Sequence, residues 1–181
     1  MEEVETLNNI LTFIHEQLKD GLFPWSAQNM AAERFACSHA EVEELALENG
    51  MLPARYQRNQ KMISTAEQLL LFRSRIAVIG CGGLGGYVIE ELARLGVGRI
   101  IAIDPDVFEE HNLNRQLLAT PKTLGQGKGI EKELGNPAFT PAVIASLQVA
   151  EACKIVLGKG ELLRRRKLSI DLLDMEIHDI Q

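Results

Sequence analysis

Apolar residues recur at helical spacing at the start of the chain. Val4, Leu7, Leu11, Ile14 and Leu18 share one face, and this period predicts an amphipathic helix over residues 2–19. Gly21 and Pro24 break it, and Ser26 is placed to cap a second helix running to about Cys37. Ser38-His-Ala-Glu41 reads as a capping box that opens a third helix, which Asn49-Gly50 closes. From Ile76 the pattern changes. "RIAVIG" (75–80) and "RIIAID" (99–104) are short β-rich runs of the kind buried in parallel sheets. Between them, "GYVIEELARLG" (86–96) is a helix with Val88, Leu92 and Leu95 on one side. Strand, glycine turn, helix, strand is one βαβ unit, the opening of a doubly wound sheet. Further on, Thr140 caps and Pro141 begins a helix that Gly158 ends. Leu168, Ile170 and Leu172 then alternate as an edge-type strand. The predicted class is α/β: a Rossmann-like doubly wound sheet, apparently incomplete, preceded by a small helical region.

Charge divides the chain in the same place. Residues 1–54 hold ten acids against Lys19 and Arg34, a net −8, within a total of −6. An acidic helical region (1–54) and a mildly basic body (55–181) are expected to do different work. Two of the predicted helices joined by a tight turn invite a DNA-binding reading. The helix that would enter the groove is "SHAEVEELALEN", with four glutamates and no lysine or arginine. Phosphate repulsion opposes that docking, so no DNA partner is expected. Three cysteines without a C-x-x-C pair argue against a disulfide framework and a structural zinc, and fit a reducing cytoplasm. No apolar run is long enough for a membrane span, so no membrane partner is expected.

The stretch "AVIGCGGLGGY" (77–87) contains G-x-G-x-x-G as Gly80, Gly82 and Gly85, with Gly83 inside it. Gly80 makes the turn, Gly82 lets backbone approach a phosphate, and Gly85 brings helix against strand. The amides at the helix N-terminus then face the anion. Asp104 ends the second strand, where a carboxylate grips ribose hydroxyls. Strand, loop, helix and acid in register point to a nucleotide. Cys81 lies inside the loop, where a helix N-terminus can lower a thiol pKa; the plainer reading is a side chain that fills space behind the loop.

Cations downstream decide which nucleotide. After Asp104 comes "DPDVFEEHNLNRQ" (104–116) and then "LGQGK" (124–128). An NAD enzyme has no use for this cluster, whereas a triphosphate does. Arg115 and Lys128 are placed to neutralise the outer phosphates and steady departing pyrophosphate, and Asn112 to orient phosphate oxygens. The plain alternatives are a surface ion pair for Arg115 with Glu109 or Glu110, and a solvated charge for Lys128.

"RYQRN" (55–59), "VIGCGGLGG" (78–86), "DPDVFEEHNLNRQ" and "LGQGK" resemble the ThiF/MoeB/HesA family of ubiquitin-activating-type enzymes. The likeness is dense over 55–128 and looser over 136–175. It implies ATP-dependent adenylation of a carboxylate, usually the C-terminal glycine of a ubiquitin-like sulfur carrier, in cofactor biosynthesis or thiolation. By that resemblance Asp104 binds ribose, Arg115 and Lys128 hold phosphates, and Asn112 and Gln116 complete the wall. Asp106 lies beside the nucleotide, and Arg58 reaches into a partner subunit's site, which implies a homodimer. Mg²⁺ is also implied, but the family's D-N-x-x-x-R-type stretch, whose aspartate binds it, is not found in this chain. The sequence passes from "LGQGK" directly to "GIEKELGNPAFTPAV" (129–143), so roughly half of the family's sheet is missing after Lys128. A nucleotide-binding scaffold without turnover is therefore the second reading, and an NAD(P)-dependent oxidoreductase the third.

Overall fold

The computed structural model describes residues 2–127, 139–172 and 174–180. The chain forms two compact units, Met1–Ser74 with Leu95–Gly98, and Arg75–Arg94 with Arg99–Gln181.

The first unit holds four helices: α1 (Glu2–Glu16), α2 (Trp25–Phe35), α3 (His39–Glu48) and α4 (Thr65–Arg73). Helix α1 ends before the apolar period does. Lys19 and Leu22 exchange two 2.9 Å backbone hydrogen bonds around Asp20 and Gly21, both at positive φ, and this turn pulls Leu18 and Lys19 off the helix. Helix α2 starts one residue ahead of Ser26. Pro24 takes the capping position in an extended conformation, since its ring fixes φ near that value. The Ser38–Glu41 capping box forms as predicted. A second box, Ser64–Glu67, opens α4. Two short parallel strands, β1 (Leu22–Phe23) and β2 (Leu52–Pro53), tie the turn after α1 to the segment after α3.

Helices α1, α2 and α3 bury Ile10, Phe13, Ile14, Phe23, Ala31, Val42 and Ala46 in one core. Phe13 and Phe35 meet edge to face at 5.8 Å, an arrangement favoured by the ring quadrupoles. A second cluster, Leu47, Leu52 and Tyr56, packs against Leu69 and Phe72. Glu43 is buried and would be costly if unpaired. It is met by the Arg55 guanidinium and by the Tyr56 hydroxyl, which donates at 2.9 Å. Arg55 also donates to Gln28 at 2.9 Å, and Gln28 donates to the His39 carbonyl at 2.8 Å. Residues 95–98 close this unit from later in the chain. The Gln68 amide donates to the Leu95 carbonyl at 2.8 Å. Gly96, at φ +93°, lies so close that an added Cβ would stand 2.4 Å from Gln68 Nε2 and 2.8 Å from the Tyr56 ring.

Burial, and then the Glu43 charge, push the Tyr56 hydroxyl up to about 12. Its folded value lies above the unfolded value near 10, so its stabilising contribution is complete below about pH 10 and is lost as pH rises towards 12. In Tyr56→Phe, denaturant midpoints between pH 9.5 and 12 should fall less steeply than in the parent (about one proton fewer by linkage). Parallel curves would show that Tyr56 ionises alike in both states.

The second unit begins with β3 (Arg75–Ile79), α5 (Gly83–Leu95) and β4 (Arg99–Ile103). The strands pair in parallel, Arg75 with Arg99 through Ile79 with Ile103. This is the predicted βαβ unit, and among the described residues its sheet has two strands. Ile79, Ile101 and Ile103 remain 82%, 42% and 49% exposed, the apolar surface that an incomplete sheet leaves bare. The closing helix α6 spans Phe139–Leu157, and Ser146 on it donates to Glu91 of α5 at 2.8 Å. The predicted edge strand is one half of an antiparallel hairpin, β5 (Lys167–Asp171) with β6 (Glu176–Ile180). The hairpin turns through Met175 at φ +57°, a conformation its side chain gives no hint of. Among the described residues no helix is long and apolar enough to cross a membrane.

Candidate functional site

The glycine loop joins β3 to α5 and is held by the strand behind it. Gly80 turns the chain at φ +88°, and its N–H donates to the Ile103 carbonyl at 2.9 Å, extending the β3–β4 ladder by one bond. Gly85 shows why helix and strand can touch: an added Cβ would stand 1.7 Å from the Gly80 carbonyl oxygen. The same cradle places the first turn of α5 over the C-terminal end of β3, where ligands of open α/β sheets bind.

Asp104 sits at the end of β4 with both carboxylate oxygens engaged. One accepts the Cys81 N–H at 2.5 Å and the other the Asp106 N–H at 3.2 Å. A carboxylate offers about four lone-pair sites, so it can hold the loop and still accept from a ribose. Cys81 itself is buried, and burial followed by the Asp104 charge raises its thiol above the ordinary range. That is the opposite of an activated nucleophile, and agrees with a side chain filling space behind the loop.

An open cleft of about 710 Å³ lies along this loop. Gly80, Gly82, Gly83, Gly85 and Asp104 line its mouth, and Ile76, Val78, Val88 and Leu92 its apolar wall. Gln148 and Ala152 of α6 close the far side. Neither was visible in the loop's own motif, because α6 lies more than fifty residues downstream with no local signature. The apolar wall beside a ring of backbone amides fits a nucleotide, with the base on the wall and phosphates at the helix N-terminus.

The remaining predicted residues sit in the loop after β4. Phe108 N–H donates to the Gln126 carbonyl at 2.7 Å, Gly125 N–H returns to Phe108 at 2.8 Å, and Val107 bridges Gly127. These bonds lay "LGQG" beside "DVF", although fifteen residues separate them. Asn112 is buried and its side-chain oxygen accepts the Glu109 N–H at 2.9 Å. Gln116 is buried against the loop, its amide nitrogen 3.7 Å from where a Gly82 Cβ would lie. Arg115 donates to the His111 carbonyl and to Asn114, both at 2.8 Å. Asp106 is half-buried at the start of the loop. Lys128 lies outside the described residues. Arg58 belongs to the first unit, exposed in a 3-10 turn over Ala54–Asn59.

For the implied magnesium, no group of three His, Cys, Asp or Glu side chains is gathered among the described residues.

The βαβ unit, its glycine cradle and the acid at the end of the second strand define a Rossmann-like α/β fold. The solved structure of E. coli MccB with ATP shares that fold, with a TM-score of 0.60 at 17% identity over 84% of this chain and 81% of that one. Residues 56–130, about two fifths of the chain, match the ThiF family model. The chain is 43% identical over 74 residues to the tRNA threonylcarbamoyladenosine dehydratase of Bacillus subtilis, covering 41% of this chain and 29% of the relative. It is 34% identical over 91 residues to the sulfur carrier protein adenylyltransferase of Thermus thermophilus, covering 49% of this chain and 34% of the relative. The matched stretch thus spans about a third of each relative.

Proposed function

We propose that this chain binds ATP in the cleft at Gly80–Gly85 and adenylates a carboxylate, the C-terminal glycine of a ubiquitin-like sulfur carrier or another carboxylate acceptor. The observation that carries the reading is the Asp104 carboxylate. It clamps the Cys81 amide at 2.5 Å beneath an open cleft, at the N-terminus of a thirteen-residue helix. Loop and ribose acid are thereby held in one piece before any ligand arrives, so little ordering remains to be done on binding. Two relatives support this reading, a sulfur carrier protein adenylyltransferase and a tRNA threonylcarbamoyladenosine dehydratase. An acceptor carboxylate on a modified tRNA base is therefore included.

ATP supplies an α-phosphate open to attack and pyrophosphate as leaving group. The loop amides and the α5 N-terminus bind and orient phosphate oxygens. Asp104 accepts from the ribose, and Gln116 holds the loop from behind. Arg115 releases its local carbonyl partners to meet the phosphates, with Lys128 as the second cation and Asp106 and Asn112 keeping their loop in register. Arg58 acts across a homodimer. Positioning and charge supply most of the acceleration in such chemistry.

The second reading, a nucleotide-binding scaffold without turnover, is favoured by the sheet, which has two strands among the described residues. ATP–pyrophosphate exchange separates the two. The full chain with its acceptor should exchange, and Arg115→Ala or Lys128→Ala should lower the rate by roughly a hundredfold or more. Exchange that persists in both variants removes those assignments. ATP binding without exchange selects the scaffold, and preference for NAD selects an oxidoreductase.

A further inference from the structure

The second unit carries a second groove, on the other side of Gln148 and Ala152, which also line the nucleotide cleft. It runs between α6 and β5, with a volume of about 390 Å³, and is lined by Ile144, Leu147, Ile155, Leu163, Leu168 and Ile170. Positions 144 to 155 along α6 span about 16 Å at 1.5 Å per residue, three turns of helix. Ile155 is 65% exposed at its edge.

The rim of this groove is cationic by construction. Leu163 and Leu168 are both wall residues, and the four residues joining them are Arg164, Arg165, Arg166 and Lys167, all exposed. Arg166 is paired with Asp179. The side chains of Arg164, Arg165 and Lys167 make no ion pair among the described residues. This connector is pinned in place. Leu163 N–H donates to Glu151 at 3.0 Å, and Lys154 donates to the Glu161 carbonyl at 2.6 Å. Glu151 also lines the groove, but its charge is answered by Lys154, which with the Leu163 N–H holds its carboxyl below the usual range. Arg165 is held at φ +59°, in the left-handed region that disfavours an L-residue. Like charges crowded on a strained, pinned connector beside an apolar trough are costly for the free chain, and an acidic partner would repay that cost.

We infer that this groove docks an acidic amphipathic helix of a partner protein. Its apolar stripe lies on Ile144, Leu147, Ile155 and Ile170, and its carboxylates face Arg164, Arg165 and Lys167. Charge complementarity selects the partner: a neutral apolar helix would leave the three cations unanswered, and a basic one would be repelled. The three-turn length and paired apolar walls match the helix-in-groove mode of recognition. None of these docking residues lines the nucleotide cleft.

The test uses the full chain and a labelled amphipathic peptide of about four turns, leucines on one face and glutamates on the other. Its twin carries lysines in place of glutamates. Fluorescence anisotropy should show the glutamate peptide binding at least about tenfold tighter than its twin, with the margin shrinking as salt rises. Arg164→Glu with Arg165→Glu and Lys167→Glu should reverse the preference, and the milder Gln triple should erase it while keeping the fold. Ile155→Asp should weaken the glutamate peptide without restoring the lysine one. Equal binding of the twins, or no binding of the glutamate peptide at about 100 µM, overturns the inference. So does a single-stranded RNA oligomer that displaces the peptide, or a dimer in sedimentation that the charge-reversed chain loses. ATP binding, measured on the same samples, should be unchanged in every groove variant.

Discussion

Gly85→Ala should cost the chain both its nucleotide and much of its thermal stability. The added Cβ would stand 1.7 Å from the Gly80 carbonyl oxygen and 2.8 Å from its carbon. These are backbone atoms, so no side chain can swing aside. The Gly80 N–H is bonded to Ile103 at 2.9 Å, and the neighbouring Cys81 N–H to Asp104. Relief at Gly80 therefore breaks the ladder or the clamp on Asp104. Forced overpacking costs about 1–3 kcal/mol, and more against backbone, which corresponds to a melting temperature lower by roughly 5–10 °C. ATP affinity measured by calorimetry should fall at least about a hundredfold (three kcal/mol or so of lost preorganisation). Gly82→Ala makes the informative comparison. Its Cβ would meet only the Gln116 amide at 3.7 Å, so it should melt like the parent and lose affinity alone. If Gly85→Ala melts within a degree or so of the parent (a few tenths of a kcal/mol), the loop is not packed as described.

Glu43→Ala is expected to be the most damaging change in the first unit. Glu43 is buried beneath Arg55 and Tyr56, with its side chain 7% exposed against 35% for Arg55. Removing one member of a buried pair leaves the other charge desolvated, at a cost of 3–5 kcal/mol when both are enclosed. Because Arg55 reaches solvent, about 2–3 kcal/mol is the appropriate scale here. Chemical denaturation of the single variants and of the Glu43→Ala, Arg55→Ala double should give a coupling above about 1 kcal/mol. Strict additivity would show that Glu43 is held by Tyr56 and by packing alone.

Elements whose cause is local were legible in the chain. Ser38–Glu41 closes on itself through adjacent backbone, so its capping box survives any tertiary context. The same logic was available at Ser64–Glu67, the unread start of α4. The glycine loop and Asp104 were legible because G-x-G-x-x-G encodes a backbone shape rather than a contact. The hairpin was not, since its turn rests on Met175 at positive φ where glycine or asparagine is the usual sign. In the site, sequence could rank cations but not aim them. Asn112 and Arg115 bond first to the nearest backbone, as short polar side chains and loop arginines do when no ligand competes. The second wall of the cleft, Gln148 and Ala152, depends on where α6 docks, which no spacing rule encodes.

The return of Leu95–Gly98 to the first unit bears on the order in which the protein can fold. A chain emerging from the ribosome presents residues 1–74 before residues 95–98, and domains there generally fold as they appear. This unit cannot finish on that schedule. Gln68 waits for the Leu95 carbonyl and Tyr56 for Gly96, and both arrive only after β3, the glycine loop and α5 have been made. The nucleotide loop is thus synthesised inside the interval between opening and closing the helical unit, and maturation of one is timed by completion of the other.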